Sequence, residues 1–167
     1  MMRDYNFNLD EQLLEQHSKA GEWHESFELL AAPLHEWLYE EQSFEKLSAR
    51  TPLEQLILSF DYVRMQVGQG GFIQLIQNGY TPLLLTVIES LQALHMAPEM
   101  AAVLDDTLKV YVLNQEVLDR ESTVEEFGRL YVEFKEFEIL EQRFNDLLES
   151  TLTQIISYVT GKDFSKA

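Results

Sequence analysis

The chain has 167 residues, of which 29 are acidic and 12 basic, so its net charge is −17. This length suits one domain, and a 46% share of hydrophobic residues, with ten Phe and seven Tyr, can fill its core. The charge argues against direct binding of nucleic acid and points to basic proteins as partners, including proteins that themselves bind DNA, while the absence of cysteine excludes disulfides and thiolate metal sites.

Helical signals follow one another along the first half of the chain. Apolar residues recur at spacings of three and four over 9–19, 22–39 and 53–67, with a short element around 44–47. Pro33 is expected to break or kink the second of these helices. Thr51 followed by Pro52 should cap and open the third. The glycine-rich run 68–71 should then turn the backbone.

The second half continues the helical pattern. The predicted helices cover 72–77, 83–95, 98–119 and a long segment through 130–148, with 151–160 as its continuation or as a final helix. Thr81 should cap the second of them, Ser122 with Glu125 reads as a capping box, and Gly161 should end the last. No segment alternates as a strand would. We therefore predict an all-α fold, a single helical domain over 1–167 with a glycine-rich interhelical turn at 68–71.

Two regions of this predicted domain differ in charge. Residues 1–50 form acidic N-terminal helices, and 51–167 form an apolar core followed by acidic C-terminal helices. The N-terminus lacks a basic patch followed by an apolar stretch, and the longest apolar run, 83–88, is far short of the ~20 residues of a membrane span. We expect a soluble, cytoplasmic protein with no membrane partner.

The spacings typical of catalytic and metal sites are missing. No histidine follows a glutamate by three residues, no zinc-protease or calcium-loop pattern is present, and the run 68–71 lacks the Gly-Lys-Ser/Thr of a phosphate loop. We therefore predict no cofactor, no metal and no catalytic residues. An enzyme with a pocket near 68–80, using Gln74, Asn78 and Tyr80, stays open as an alternative, although the sequence supplies no nucleophile–base pair.

Acidic residues crowd the predicted helix faces. Ordinary solvated faces mix both signs of charge, whereas acids here outnumber bases more than two to one, and like charges one turn apart repel. Such a face favours either solubility or a basic partner. By local acid density, the predicted partner-binding residues form a C-terminal cluster and an N-terminal cluster: Asp105, Asp106, Asp119, Glu125, Glu126, Glu133 and Glu136, and Glu25, Glu36, Glu40 and Glu41.

The segment 69–78 reads Gln-Gly-Gly-Phe-Ile-Gln-Leu-Ile-Gln-Asn. It resembles the Asn-Gly-Gly-Phe-x-Gln-(x)3-Asn signature of a bacterial family of small acidic helical proteins that includes the nineteen-kilodalton DNA-mimic protein. Gln69 replaces the usual asparagine. The segments 83–96, 137–144 and 152–158 also look similar, so the resemblance covers roughly 50–160. The first fifty residues have no such counterpart.

The signature residues read as structural rather than catalytic. Gly70 and Gly71 should let helices pack closely, Phe72 should fill the core, and Gln74 and Asn78 should satisfy the backbone of the turn. The motif therefore indicates a fold more than an activity.

The resemblance implies a DNA mimic, which displays carboxylates like phosphates and occupies the DNA-binding surface of a helix-turn-helix regulator. The leading hypothesis is thus a non-enzymatic protein whose acidic surface binds a basic DNA-binding protein and competes with DNA. An immunity or antitoxin-like protein that blocks a basic toxin is the alternative within the same class. Exposed apolar faces would also permit a homodimer.

Overall fold

Helices make up all the regular structure of residues 2–120 and 122–164, which are the residues that the computed structural model describes. The α-helices are α1 (Glu11–Lys19), α2 (Trp23–Glu41), α3 (Pro52–Gln77), α4 (Thr81–Ala93), α5 (Pro98–Leu113), α6 (Gln115–Leu118), α7 (Val124–Glu133) and α8 (Glu136–Thr160). A 3-10 helix, Phe44–Ala49, joins α2 to α3. The all-α prediction is confirmed. No helix in the described part of the chain combines the length and the apolarity needed to cross a membrane.

The core forms where α2, α3 and α8 meet. Its centre is a line of fully buried phenylalanine rings with centroids 5.8–6.4 Å apart, contributed by Phe27, Phe60, Phe144, Phe72 and Phe137. Aromatic pairs at such distances stabilise a core beyond the area that they bury. Helix α4 packs against α3, α5 packs against α4, and α5 also contacts α8.

Several helix ends lie where their sequence signals place them. Thr51 and Glu54 form a full capping box, in which the Thr51 hydroxyl accepts from the backbone N–H of Glu54 at 3.1 Å. Pro52 and Pro98 stand at the first positions of α3 and α5. Gly161 ends α8 in the left-handed conformation.

Of the predicted break or kink at Pro33, the break is wrong. Helix α2 runs through Pro33 from Trp23 to Glu41, although proline inside a helix costs about 3 kcal/mol. Buried apolar side chains lie on both sides of the proline, Phe27 and Leu30 before it and Leu34 and Leu38 after it. Each contributes about 1.5–3 kcal/mol of burial, so together they outweigh the lost hydrogen bond.

Three other boundaries differ from the prediction. Thr81 is a buried first residue of α4 rather than its cap, because the helix begins two residues before the predicted start at 83. The cap of α7 is Thr123, whose hydroxyl accepts from the N–H of Glu126 at 3.2 Å, and not Ser122. The segment 98–119 divides into α5 and α6 at Asn114.

The predicted long helix through 130–148 is also divided. It separates into α7 and α8 at Phe134, which has a non-helical backbone (φ −111°, ψ 57°), whereas 151–160 continues α8 without a break. Leu130 and Tyr131 pack α7 against the core and the glycine segment, while α8 follows α2, α3 and α5. These tertiary contacts override the local helical preference.

Candidate acidic interaction surface

The N-terminal cluster occupies one outward face of α2. Glu25, Glu36 and Glu40 are all exposed, at spacings of eleven and four residues that return to the same side of a helix. At 1.5 Å per residue, Glu25 and Glu36 are about 16 Å apart along the axis and Glu36 and Glu40 about 6 Å. Glu41 differs from these three acids because its Oε2 lies 2.6 Å from Nζ of Lys46, which neutralises its charge.

The C-terminal cluster is spread over several elements. Asp105 and Asp106 lie on α5, Asp119 follows α6, Glu125, Glu126 and Glu133 lie on α7, and Glu136 begins α8. The sequence grouped these acids by density, and the structure gives them two different environments.

Four acids of the C-terminal cluster already have partners. Asp105 pairs with Lys109 at 3.0 Å, Asp106 with Arg143 at 2.8 Å and Glu125 with Arg129 at 3.1 Å, while both carboxylate oxygens of Asp119 accept from the Tyr111 hydroxyl at 2.8 Å. Glu126, Glu133 and Glu136 are exposed, and no described cation lies within 4 Å of them.

The same division holds over the whole described surface. Eight described cations form ion pairs with particular acids of the chain: Lys19, Lys46, Arg50, Arg64, Lys109, Arg129, Arg143 and Lys162. Other carboxylates stay exposed, with no ion pair and no side-chain hydrogen bond among the described residues. These free acids are Glu25, Glu36, Glu40, Glu45, Glu89, Glu99, Glu116, Glu126, Glu133, Glu136, Glu138, Asp146 and Glu149. These thirteen free acids outnumber the three described cations that form no ion pair with a described acid, Arg3, Arg120 and Lys135, so the surface keeps an excess of negative charge.

The glycine segment is a kink inside α3. Gly68 and Gln69 remain helical, and only Gly70 and Gly71 leave the helical conformation. Gly71 has φ +76°, and a Cβ there would lie 2.1 Å from Oε1 of Glu141 on α8. That oxygen accepts from the N–H of Phe72 at 2.9 Å, and the Tyr131 hydroxyl of α7 donates to the carbonyl of Gly70. The kink thus fixes α7 and α8, which carry most of the C-terminal acids.

The amides of the signature act differently from the expectation. The Gln74 side chain donates to Oε1 of Gln66 at 3.3 Å, and Nδ2 of Asn78 donates to the same oxygen at 2.8 Å. They hold the two segments of α3 together through side chains and do not bond the backbone of the turn. Phe72 is fully buried.

This segment lies within a family match. The model of the DMP19-like protein family matches residues 48–162, about two thirds of the chain. The chain belongs to the DMP19-like family. The family indicated by the glycine signature is thereby confirmed, and no curated protein sequence matches the chain. The DMP19-like region contains the whole C-terminal cluster, whereas the N-terminal cluster on α2 lies outside it.

The DMP19-like region also contains free acids that the sequence reading did not include. Glu138 and Glu149 lie eleven residues apart on α8, so they share an outward face about 16 Å long, with Asp146 near it. The eleven-residue spacing was the available signal. Local acid density, on which the predicted clusters depend, selects acids that are adjacent in sequence and not acids that a helix places in line.

Burial raises the pKa of Glu141, the nearby Glu138 raises it further, and the bond from Phe72 opposes both. A folded-state pKa above the ordinary value gives stability at low pH that is lost as the pH rises through it. Replacing Glu141 with glutamine keeps an acceptor for Phe72 and removes this titration. We expect the stability of wild type relative to Glu141→Gln to fall as the pH rises from the ordinary carboxyl pKa through the raised pKa of Glu141, measured by urea unfolding. The same pH dependence of stability in wild type and in Glu141→Gln would contradict the assignment.

The enzyme alternative would need a pocket near 68–80. The clearest cleft in the described residues, of about 690 Å³, lies between Trp23, the α4–α5 turn and the end of α8, away from 68–80. The amides of Gln74 and Asn78 are engaged by Gln66, and Tyr80 stacks on Tyr62 at 5.3 Å. Among the described residues, no three His, Cys, Asp or Glu converge as metal ligands would.

Proposed function

We propose that this protein is a non-enzymatic bacterial DNA mimic of the cytoplasm. Its acidic surface would occupy the DNA-binding surface of a basic, helix-turn-helix type regulator and thereby affect transcription. It would bind neither nucleic acid nor a membrane itself. The proposal rests on one observation, the set of exposed carboxylates that no internal cation neutralises. Membership of the DMP19-like family supports it.

The arrangement of the free acids suits such a partner. Two helices each carry a line of carboxylates about 16 Å long, Glu25 to Glu36 on α2 and Glu138 to Glu149 on α8. DNA presents its phosphates in rows along the backbone, so a basic surface that binds those rows could contact these lines of carboxylates instead. The net charge of −17 would steer a cationic partner over the Debye length of about 10 Å, so association should weaken with salt.

The contrast between free and paired acids gives the test. Partners are first recovered from bacterial cytosol on the immobilised protein at low salt and released by a salt gradient. Two triple variants then remove equal charge: Glu126→Gln/Glu133→Gln/Glu136→Gln changes free acids, and Asp105→Asn/Asp106→Asn/Glu125→Gln changes paired ones.

Association and dissociation should respond differently. Both variants should slow association with the recovered partner to a similar extent, because steering depends on net charge. Only the free-acid variant should speed dissociation, by about tenfold, because the paired carboxylates must give up an ion pair within the chain to contact the partner's cations and so gain little from them. The recovered regulator should also lose its operator DNA when the wild-type protein is added.

Other outcomes would contradict the proposal. A partner whose dissociation ignores both triple variants would reduce the acidic surface to solubility. Recovery of a nuclease or another basic toxin, inhibited by the protein, would favour the immunity or antitoxin function instead.

A further inference from the structure

Apolar side chains are exposed where α5 ends and α6 begins. Leu113 is 83% exposed, Val112 63% and Val117 36%, whereas the aliphatic residues of the core are less than 10% exposed. An exposed apolar patch with a polar rim is typical of an interaction site. We name the patch formed by Val112, Leu113 and Val117 the Val117 surface.

The Val117 surface is concave. A cavity of about 640 Å³ lies beside Val112, Leu113 and Val117, and a second of about 340 Å³ extends from Val117 toward Leu130 on α7. Val117 lines both, so the two cavities adjoin. Each cavity has an apolar part, formed by Val112, Leu113 and Val117 in the first and by Val117 and Leu130 in the second. Two side chains one helical turn apart, about 5–6 Å, could each lie against one of these parts.

The rim of this surface is acidic. Glu116 belongs to the first cavity, and Glu126 and Glu133 belong to the second; all three are free acids. Arg129 also lines the second cavity, but Glu125 pairs with it at 3.1 Å. Arg120 is the other cation there, so acids remain in excess.

The surface is held in place from beneath. Leu118 of α6 is fully buried, and its carbonyl accepts from the side-chain amide of Gln77 at the end of α3. A short helix anchored in this way needs little reordering when a partner binds, which favours affinity.

We propose that the Val117 surface holds an amphipathic basic helix of the partner. Two apolar side chains one turn apart fill the adjoining cavities, and flanking Lys or Arg residues pair with Glu116, Glu126 and Glu133. A second copy of this chain fits less well, because a two-fold contact would bring one acidic rim against another. The proposal rests on the proposed function, to which it adds the surface that binds the basic partner.

Two synthetic helical peptides of identical composition provide the probe. Both contain leucine, lysine and alanine; one places its leucines a turn apart on one face, and the other disperses them around the helix. Fluorescence anisotropy at about 0.1 M salt measures the dissociation constant of each. The variant Val112→Ser/Leu113→Ser/Val117→Ser removes the apolar groups without changing charge. Leu85→Ser/Ile139→Ser, also at exposed positions, is its matched control.

The one-faced peptide should bind wild type more tightly than the dispersed peptide. The triple serine variant should weaken the one-faced peptide at least tenfold and leave the dispersed peptide unchanged, and the control should change neither. The serine variant could leave the affinity of the one-faced peptide unchanged while Glu116→Gln/Glu126→Gln/Glu133→Gln weakens the binding of both peptides. That result would show that the acidic surface binds basic helices and that the Val117 surface does not contribute.

Two further outcomes separate the remaining explanations. Indifference of both peptides to the three glutamine substitutions and to salt would count against the proposed function itself. Light scattering that finds wild type dimeric and the serine variant monomeric would assign the Val117 surface to self-association and overturn this proposal.

Discussion

Replacing Gly71 with alanine is expected to lower the free energy of unfolding by roughly 2–6 kcal/mol. Its backbone (φ +76°, ψ −172°) lies in a region almost confined to glycine, which costs a residue with a Cβ about 1–3 kcal/mol. The new methyl would lie 2.1 Å from Oε1 and 2.7 Å from Cδ of Glu141, so the Glu141 side chain must move. Moving it breaks the bond to the N–H of Phe72, and leaving such a donor unpaired costs about 1–3 kcal/mol. Urea unfolding followed by circular dichroism measures the difference.

Gly68 provides a matched control three residues earlier. It is helical, and a Cβ there would meet no atom within 4 Å, so Gly68→Ala should be neutral or stabilise by up to about 1 kcal/mol. In the double variant Gly71→Ala/Glu141→Ala the clash with the Glu141 side chain is gone and the backbone strain at position 71 remains. Glu141→Ala should therefore lower the free energy of unfolding less in the Gly71→Ala background than in wild type. Equal losses for Gly68→Ala and Gly71→Ala would show that the kink imposes no steric demand.

The helix starts that the sequence predicts best are those with proline at the first helical position. Thr51-Pro52 and Ala97-Pro98 mark the starts of α3 and α5 because a missing N–H is harmless only in a first turn. The same residue type misleads at Pro33, where burial on both sides outweighs the local cost. Local rules therefore predict helix ends well where solvent and backbone decide, and poorly where the core decides.

The division at Phe134 shows a second limit. Leu130, Phe134 and Phe137 have helical spacing, so nothing local separates α7 from α8. The separation depends on Tyr131 reaching the carbonyl of Gly70, sixty-one residues away in sequence. A contact of that kind is visible only once both segments are placed.

The acidic clusters were predicted by residue type and density, and which acids are free was beyond the sequence. Asp105 and Glu126 look alike in a charge count, yet Lys109 lies 3.0 Å from the first and no described cation lies near the second. Pairing such as Asp106 with Arg143 joins α5 to α8 and depends on tertiary packing. The free acids of α8 were overlooked for the related reason that a helix aligns residues that the sequence separates.

Removal of the Asp61 carboxylate is the second substitution with a large expected effect. Asp61 is 4% exposed, accepts from Nε of Arg64 at 2.7 Å and lies 2.6 Å from Nε2 of His35. Arg64 is itself nearly buried and approaches His24 at 3.3 Å. Asp61→Ala would leave the Arg64 guanidinium with only the exposed Glu28 carboxylate, 3.9 Å away, and breaking a buried pair in this way costs about 3–5 kcal/mol.

A matched pair on the surface separates burial from geometry. Asp106 and Arg143 approach to 2.8 Å, nearly the same distance, but both side chains are more than 40% exposed, so Asp106→Ala should cost about 1 kcal/mol or less. Replacing Asp61 and Arg64 together with leucine and methionine should recover part of the loss, because the unpaired charge goes with the arginine. Chemical denaturation of the three variants tests this order. Equal losses at Asp61 and Asp106 would mean that water reaches the Arg64 network as freely as it reaches the surface, and that α2 and α3 are held together by their apolar faces alone.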